Sequence, residues 1–304
     1  MRKIELGKSG LMVPTVAIGC MRISNMNEKE ASAFLDTAID NGANYFDHAD
    51  IYGGGQSEVV FGKAMQAFRR EDLLIQTKCG IVPGKMFDFS YEHIINSVNG
   101  SLKRLNTDYV DVLLLHRPDA LMEPEEVAKA FDKLKSSGKV RHFGVSNQNP
   151  YQMQLLQSAL DMPLVANQLQ FGIMHSSMVQ SGINVNMYNE SATNRDGGVL
   201  DFCRLNKITI QPWSPMQYGF FEGVFVDNEK FPKLNETLAR LSEKYGVSKT
   251  TLAIAWILRH PAKMQPVTGT TNPGRLAECL KAAEVTLSRE DWYDIYMSAG
   301  NVLP

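Results

Sequence analysis

The sequence has only four cysteines in 304 residues, at positions 20, 79, 203 and 279, and no two are close enough for a C-x-x-C motif. That excludes the short-spaced thiol sets of zinc sites and redox loops. Four free, buried thiols in a reducing compartment are expected instead, and with them a cytoplasmic location. No apolar run approaches the about 20 residues that a membrane span needs. The opening Met1-Arg-Lys-Ile-Glu5 is too polar for a secretory leader. Excess charge of one sign is also missing: 31 Lys plus Arg stand against 33 Asp plus Glu, a formal net charge of −2. Neither a nucleic-acid footprint nor a polybasic membrane patch fits that balance. The dinucleotide fingerprint G-x-G-x-x-G is absent, since Gly53-Gly-Gly55 has a different spacing.

What is present is alternation. With 44% hydrophobic and 21% charged residues, the chain can build an ordinary globular core. Residues 4–14 read as a hairpin turning at Gly7-Lys-Ser-Gly10. Short apolar runs at 16–19, 43–47, 73–78, 110–115, 140–145, 164–169, 208–213 and 264–267 read as strands. Between and after them, segments with apolar residues at helical spacing cover 28–41, 57–67, 91–105, 124–137, 150–160, 199–206, 233–245, 248–260, 273–283 and 289–298. The polar stretch 174–197 reads as a long loop, and 216–233 as a second insertion, carrying Gly219, Phe220, Phe221 and Gly223. No linker divides the eight strand–helix units. The expected fold is α/β, a (β/α)8 TIM barrel with an N-terminal β-hairpin and extra helices, with 1–304 as one domain. The missing fingerprint favours this barrel over a doubly wound sheet.

In a barrel, function belongs at the carboxyl ends of the strands. Here those ends are polar: Gly19-Cys-Met-Arg22, Asp47, Lys78, His116, Ser146-Asn147, Gln168, Trp213-Ser214 and Thr268-Gly-Thr-Thr271. The run from Val112 to Leu115 stops at His116, and the Arg117, Pro118 and Asp119 that follow read as loop structure. Asp47, Lys78 and His116 end successive strands, and Tyr52 lies five residues after Asp47. A lysine ion-paired to the aspartate would draw a neighbouring phenol down from its usual pKa of about 10. Such a phenol can act as general acid, with His116 orienting a carbonyl oxygen. The set suits hydride delivery to an aldehyde or ketone, which requires a nicotinamide or flavin cofactor.

The chain resembles the aldo-keto reductase family at Phe46-Asp-His-Ala-Asp-Ile-Tyr-Gly53, Thr77-Lys78, Leu115-His-Arg-Pro-Asp119, Gly144-Val-Ser-Asn147, Asn167-Gln168, Trp213-Ser-Pro215 and Gly269-Thr-Thr-Asn-Pro-Gly-Arg275. The pieces run in order over nearly the whole chain. The resemblance implies a barrel that binds NADPH in extended form and reduces a small-molecule carbonyl substrate. It implies Tyr52 as proton donor, Lys78 and Asp47 behind it, and His116 as substrate-orienting residue. It places Ser146, Asn147 and Gln168 on the nicotinamide carboxamide and Trp213 on the nicotinamide ring. Ser214, Met216 and Gly219 would line the pyrophosphate. Thr270, Thr271, Asn272 and Arg275 would hold the 2′-phosphate, with Glu278 at the adenine end. Cys20, Met21 and Arg22, together with Asp47, complete the expected cofactor contacts. Three positions depart from the family's pattern. His48 replaces a common threonine, Gly269 a lysine found on the 2′-phosphate in several members, and Cys279 an asparagine found on adenine in many.

Two other readings compete. A non-catalytic nucleotide-binding subunit, such as the channel β subunits that resemble this family, could retain the same four residues; the absence of a long extension before Ile4 argues against it. A metal-dependent hydrolase could use Asp47, His48, Asp50, His116 and Asp119, but lacks an H-x-H pair and would point Lys78 at the metal. His48 is expected to be a hydrogen-bonded structural histidine. Phe220, Phe221, Phe225 and Phe231 fit equally the anchors of a folded loop or a lid over the cofactor. The variable loops 22–27, 80–90, 174–197 and 216–233, with a short C-terminal end, predict an open pocket of broad tolerance.

Overall fold

The computed structural model describes residues 1–304. Its strands are β1 (Lys3–Glu5), β2 (Met12–Pro14), β3 (Ala17–Gly19), β4 (Tyr45–Asp47), β5 (Leu74–Cys79), β6 (Ile81–Val82), β7 (Met86–Phe87), β8 (Val110–Leu115), β9 (Val140–Ser146), β10 (Leu164–Gln170), β11 (Thr209–Trp213), β12 (Gln217–Tyr218), β13 (Gly223–Val224) and β14 (Val267–Thr268). The helices are α1 (Glu28–Asp40), α2 (Gln56–Ala64), α3 (Tyr91–Leu105), α4 (Pro124–Ser136), α5 (Pro150–Gln157), α6 (Ser177–Ile183), α7 (Val199–Asn206), α8 (Pro232–Tyr245), α9 (Lys249–Arg259), α10 (Pro273–Lys281) and α11 (Arg289–Ser298). No helix is long and apolar enough to cross a membrane.

Eight strands pair side by side in parallel, in the order β11-β10-β9-β8-β5-β4-β3-β14. The seam between the first and last of these is bridged by a backbone hydrogen bond, Gln265 N–H to Ile210 O at 3.0 Å. The result is the expected (β/α)8 barrel. Side-chain alternation along β8 shows why its run of leucines is continuous. Leu113 and Leu115 pack outward into the large core shared with the helices, while Val112 and Leu114 face the barrel interior. The β1–β2 hairpin plugs the interior from the amino-terminal side: Leu6 and Val13 are fully buried with Val112, Leu114 and Val165.

Helix starts follow local chemistry. Asn27 and Glu30 form a reciprocal capping box on α1, and Asn149 and Gln152 another on α5, where proline takes the first turn. The closing helices are locked by a tryptophan pair. The rings of Trp256 on α9 and Trp292 on α11 stack at 4.8 Å and 6°. Each indole N–H donates to the other residue's carbonyl oxygen, at 3.1 and 3.0 Å.

The structure departs from sequence expectation in the insertions. The 174–197 stretch is not a plain loop, since it holds α6 and a 3-10 turn over Glu190–Ala192. The 80–90 and 216–233 segments carry the two-residue ladders β6–β7 and β12–β13, too short to leave a periodic signal. The last barrel strand is shifted and shortened from 264–267 to Val267–Thr268. Pro266 has no N–H to donate, and the N–H of Gln265 is spent across the seam.

Candidate active site

The carboxyl ends of β4, β5 and β8 bring Asp47, Lys78 and His116 together. Tyr52 joins them from a 3-10 turn that is possible because Gly53 and Gly54 adopt φ of 59° and 64°. Lys78 is wholly buried, and its ammonium donates to Asp47 Oδ2 at 2.8 Å, His48 O at 2.7 Å and Tyr52 Oη at 3.1 Å. All its hydrogens are thereby used. Burial alone would lower the Lys78 pKa; Asp47 and Tyr52 outweigh it and hold the ammonium above its usual value.

The Tyr52 phenol differs from expectation. Burial raises its pKa above the usual value, and the opposing pull of Lys78 does not reverse that. Tyr52 is therefore a protonated phenol at neutral pH. His116 lies edge-on to Tyr52, with ring centroids 5.9 Å apart. Burial, then Lys78 and Arg117, hold its pKa well below that of an ordinary histidine, so it is neutral. Its Nδ1 is buried without a partner, which leaves Nε2 as the ring's accessible polar atom.

The second oxygen of Asp47 meets a network that sequence reading missed. Gln76 Nε2 donates to Oδ1 at 2.5 Å and Gln168 Nε2 at 3.1 Å. Both amides also reach Gln211 Oε1, at 3.0 and 3.3 Å, and Gln211 Nε2 donates to Gln265 Oε1 at 2.9 Å. Tyr45 Oη closes the set on Gln76 Oε1 at 2.7 Å. A signal existed: Gln76 stands two residues before Lys78 and Gln211 two before Trp213, so each shares its neighbour's strand face.

A cleft of about 710 Å³ opens above this centre. Of the expected residues, Met21, Arg22, Asp47, Tyr52, His116, Ser146, Asn147, Gln168, Trp213, Ser214, Met216, Thr270, Thr271 and Arg275 line it. Cys20, Lys78, Gly219, Asn272 and Glu278 do not. Cys20 is buried with its Sγ toward Ile18 O, and Lys78 lies behind Tyr52. Gly219 O accepts from Gln170 Nε2, and Asn272 caps α10 by accepting from Arg275 N at 3.0 Å. Glu278 accepts from Ser248 Oγ at 3.1 Å. Asn147 is already engaged: it donates to Ser146 Oγ at 2.7 Å and accepts from Trp213 Nε1 at 3.1 Å, which orients the indole. Thr250, Ile254 and Arg117 line the cleft without having been expected there, and Phe221 lines it as the lid reading allowed.

Four other readings resolve. His48 is not hydrogen-bonded: both ring nitrogens are buried without partners, the ring packs 4.4 Å from Phe61, and burial lowers its pKa to about 3. The four phenylalanines divide, with Phe225 fully buried and Phe231 packed on Tyr218 at 4.9 Å. Phe220 and Phe221 stay exposed, Phe221 lying nearly parallel to Trp213 at 6.0 Å. Asp119 behaves as loop structure, accepting from the N–H groups of Phe89 and Leu121, each at 2.9 Å. Arg117 does not: it faces the cleft, 5.7 Å from the Trp213 ring centre. No group of three or more His, Cys, Asp or Glu gathers to hold a metal, so the five residues weighed for one do not converge.

A sequence profile of the Aldo/keto reductase family matches residues 15–297. The chain belongs to the aldo-keto reductase family. It is similar to the 6-dehydroglucose reductase of Agrobacterium fabrum, 34% identical over 98% of each chain. A probable voltage-gated potassium channel subunit beta of Oryza sativa subsp. japonica is 29% identical, over 92% of this chain and 90% of that one. Among solved structures, a thermostable aldo-keto reductase in complex with the inhibitor epalrestat superposes with a TM-score of 0.79 at 29% identity, covering 98% of this chain and all of that one. As an aldo-keto reductase, this chain is an oxidoreductase of a family that works with a nicotinamide cofactor. The cleft fits such a dinucleotide at both ends. Ser146, Asn147, Gln168 and Trp213 line its catalytic end. At the other end Thr270, Thr271 and Arg275 stand at the amino terminus of α10, where a helix dipole and a guanidinium favour phosphate.

Proposed function

We propose that this aldo-keto reductase reduces an aldehyde or ketone with NADPH, and that Tyr52 supplies the proton. The observation that carries the reading is the Lys78 ammonium bonded at once to Asp47 and to Tyr52 Oη. NADPH, held by Ser146, Asn147, Gln168, Trp213 and Arg275, would supply the hydride. The carbonyl oxygen would sit between Tyr52 Oη and His116 Nε2, where two neutral donors meet growing negative charge. Because Tyr52 holds its proton at neutral pH, it can give it; the phenolate left behind is what Lys78 stabilises. Asp47 keeps Lys78 charged, and the glutamine amides keep Asp47 in place. Arg275 favours the 2′-phosphate form of the cofactor even though Gly269 supplies no side chain there.

The Agrobacterium relative acts on 6-dehydroglucose by its name, so a sugar-derived aldehyde is the first substrate class to try. NADPH oxidation with 4-nitrobenzaldehyde and with a sugar aldehyde is the primary assay. Tyr52→Phe is expected to cut turnover by about 10²–10⁴ while NADPH still quenches tryptophan fluorescence. Full turnover by that variant removes Tyr52 as the donor. A second reading, a nucleotide-binding regulatory subunit, draws on the rice channel-subunit relative. It predicts NADPH binding with no turnover of any carbonyl.

A further inference from the structure

We propose that Arg117 forms an anion subsite beside the carbonyl position, so that the preferred substrates are carbonyl compounds carrying a carboxylate, sulfonate or phosphate. This rests on the carbonyl-reductase reading above and names the substrate class of that same site.

A charge inventory of the cleft singles out this guanidinium. Arg117 is half-buried in the cleft wall and forms no ion pair with any Asp or Glu. The acids that could have neutralised it are spent. Asp47 is held by Lys78 at 2.8 Å, and Asp227 by Lys249 Nζ at 2.6 Å. Asp119, two residues away, turns both oxygens to the backbone N–H groups of Phe89 and Leu121. The other cleft arginines stand elsewhere: Arg22 Nη1 donates to Gly269 O at 3.2 Å, and Arg275 opens α10, both at the phosphate end assigned to the cofactor. The neighbouring His116 is neutral and contributes no charge. The catalytic end therefore carries one uncompensated positive charge.

Position makes that charge useful. Arg117 follows His116 directly, so it stands next to the residue that would orient the carbonyl. Its guanidinium stands over the Trp213 ring, 5.7 Å from the ring centre, and the indole is itself held in place by its N–H bond to Asn147 Oδ1 at 3.1 Å. A guanidinium laid on an aromatic face keeps its edge N–H groups free, and that edge matches a carboxylate or phosphate in bidentate fashion. Arg117 is half-buried in the cleft wall, and this burial lowers its pKa, as expected for a cation partly removed from water. A partly desolvated cation gains more from an incoming anion than a surface arginine does.

The test compares 4-formylbenzoate with its neutral methyl ester, using NADPH as reductant. Wild-type protein is expected to favour the carboxylate by about tenfold or more in kcat/KM, equivalent to one strong charge-assisted contact. Raising the salt concentration should shrink that preference. Arg117→Met should bring the ratio near one, and Arg117→Lys should keep part of it. A wild-type ratio near one, a ratio unchanged in Arg117→Met, or a clear preference for a neutral sugar aldehyde over both benzaldehydes overturns the subsite. If wild-type protein reduces neither these two compounds nor 4-nitrobenzaldehyde nor a sugar aldehyde, the carbonyl-reductase reading fails instead. The subsite is then decided by terephthalate binding, read from tryptophan quenching: it stands if Arg117→Met abolishes the quench and falls if the quench is absent or unchanged.

Discussion

Gln76 donates to Oδ1 of Asp47 at 2.5 Å, while Lys78 holds Oδ2 at 2.8 Å, so the carboxylate is gripped on both oxygens. Gln76→Leu removes that amide and leaves Tyr45 Oη and Gln211 Oε1 each short of a partner in a dry interior. The expected cost is about 2–3 kcal/mol of stability, read by chemical denaturation. Turnover should fall as well, because Asp47 loses its fixed position. A Gln76→Leu protein as stable and active as the parent would mean that the network is packing alone.

Lys78→Met leaves the Asp47 carboxylate buried beside no cation. Breaking one side of such a pair typically costs about 3–5 kcal/mol. The double variant Lys78→Met with Asp47→Asn should recover part of that stability, because the orphaned charge is gone. It should not recover turnover, because the phenolate of Tyr52 still lacks its ammonium. Recovery of turnover in the double variant would remove Lys78 from the proton-transfer machinery.

Asp50 gives a pH signature. Its pKa is raised to about 7 by burial, then by Glu58, against the opposing pull of Arg104. Glu58 is itself fully buried, bonded to Thr77 Oγ1 at 2.6 Å and Arg104 Nε at 2.8 Å. The folded protein therefore keeps a proton on Asp50 that the unfolded chain releases near the ordinary carboxylate value. Stability from this group falls as pH rises across that window and levels off above about 7. Asp50→Asn removes the ionisation. It should raise the melting temperature more at pH 8 than at pH 5, as checked by scanning calorimetry in matched buffers. An equal shift at both values would show that Asp50 is not protonated in the fold.

Much of the barrel was legible in the sequence because long buried strands and capped helices impose their periods over many residues. The spans Tyr91–Leu105, Val110–Leu115, Val199–Asn206 and Arg289–Ser298 coincide with those read from pattern alone. The pairs β6–β7 and β12–β13 were not legible, since two residues cannot display an alternation. At the site, the ionisable residues stood out because charge at a buried strand end is costly and so conspicuous. Gln76, Gln211 and Gln265 did not, because a neutral amide inside a barrel gives no such alarm. The Tyr52 pKa was misjudged for a related reason: the sequence shows that a lysine is near, but not how much water the phenol loses. Arg117 was set aside with Pro118 and Asp119 as loop, and its place in the cleft wall over the Trp213 ring separates it from them.

The stacked pair Trp256–Trp292 has an optical consequence. The chain has three tryptophans. Two of them lie face to face at 4.8 Å and share reciprocal N–H bonds, close enough for their excited states to couple. Their circular-dichroism signal should mark the docking of α11 on α9 and vanish on unfolding. Trp213 lies in the cleft wall, so a ligand-dependent change in emission belongs mainly to that one indole. The protein thus carries two separate dyes, one for its fold and one for its cleft.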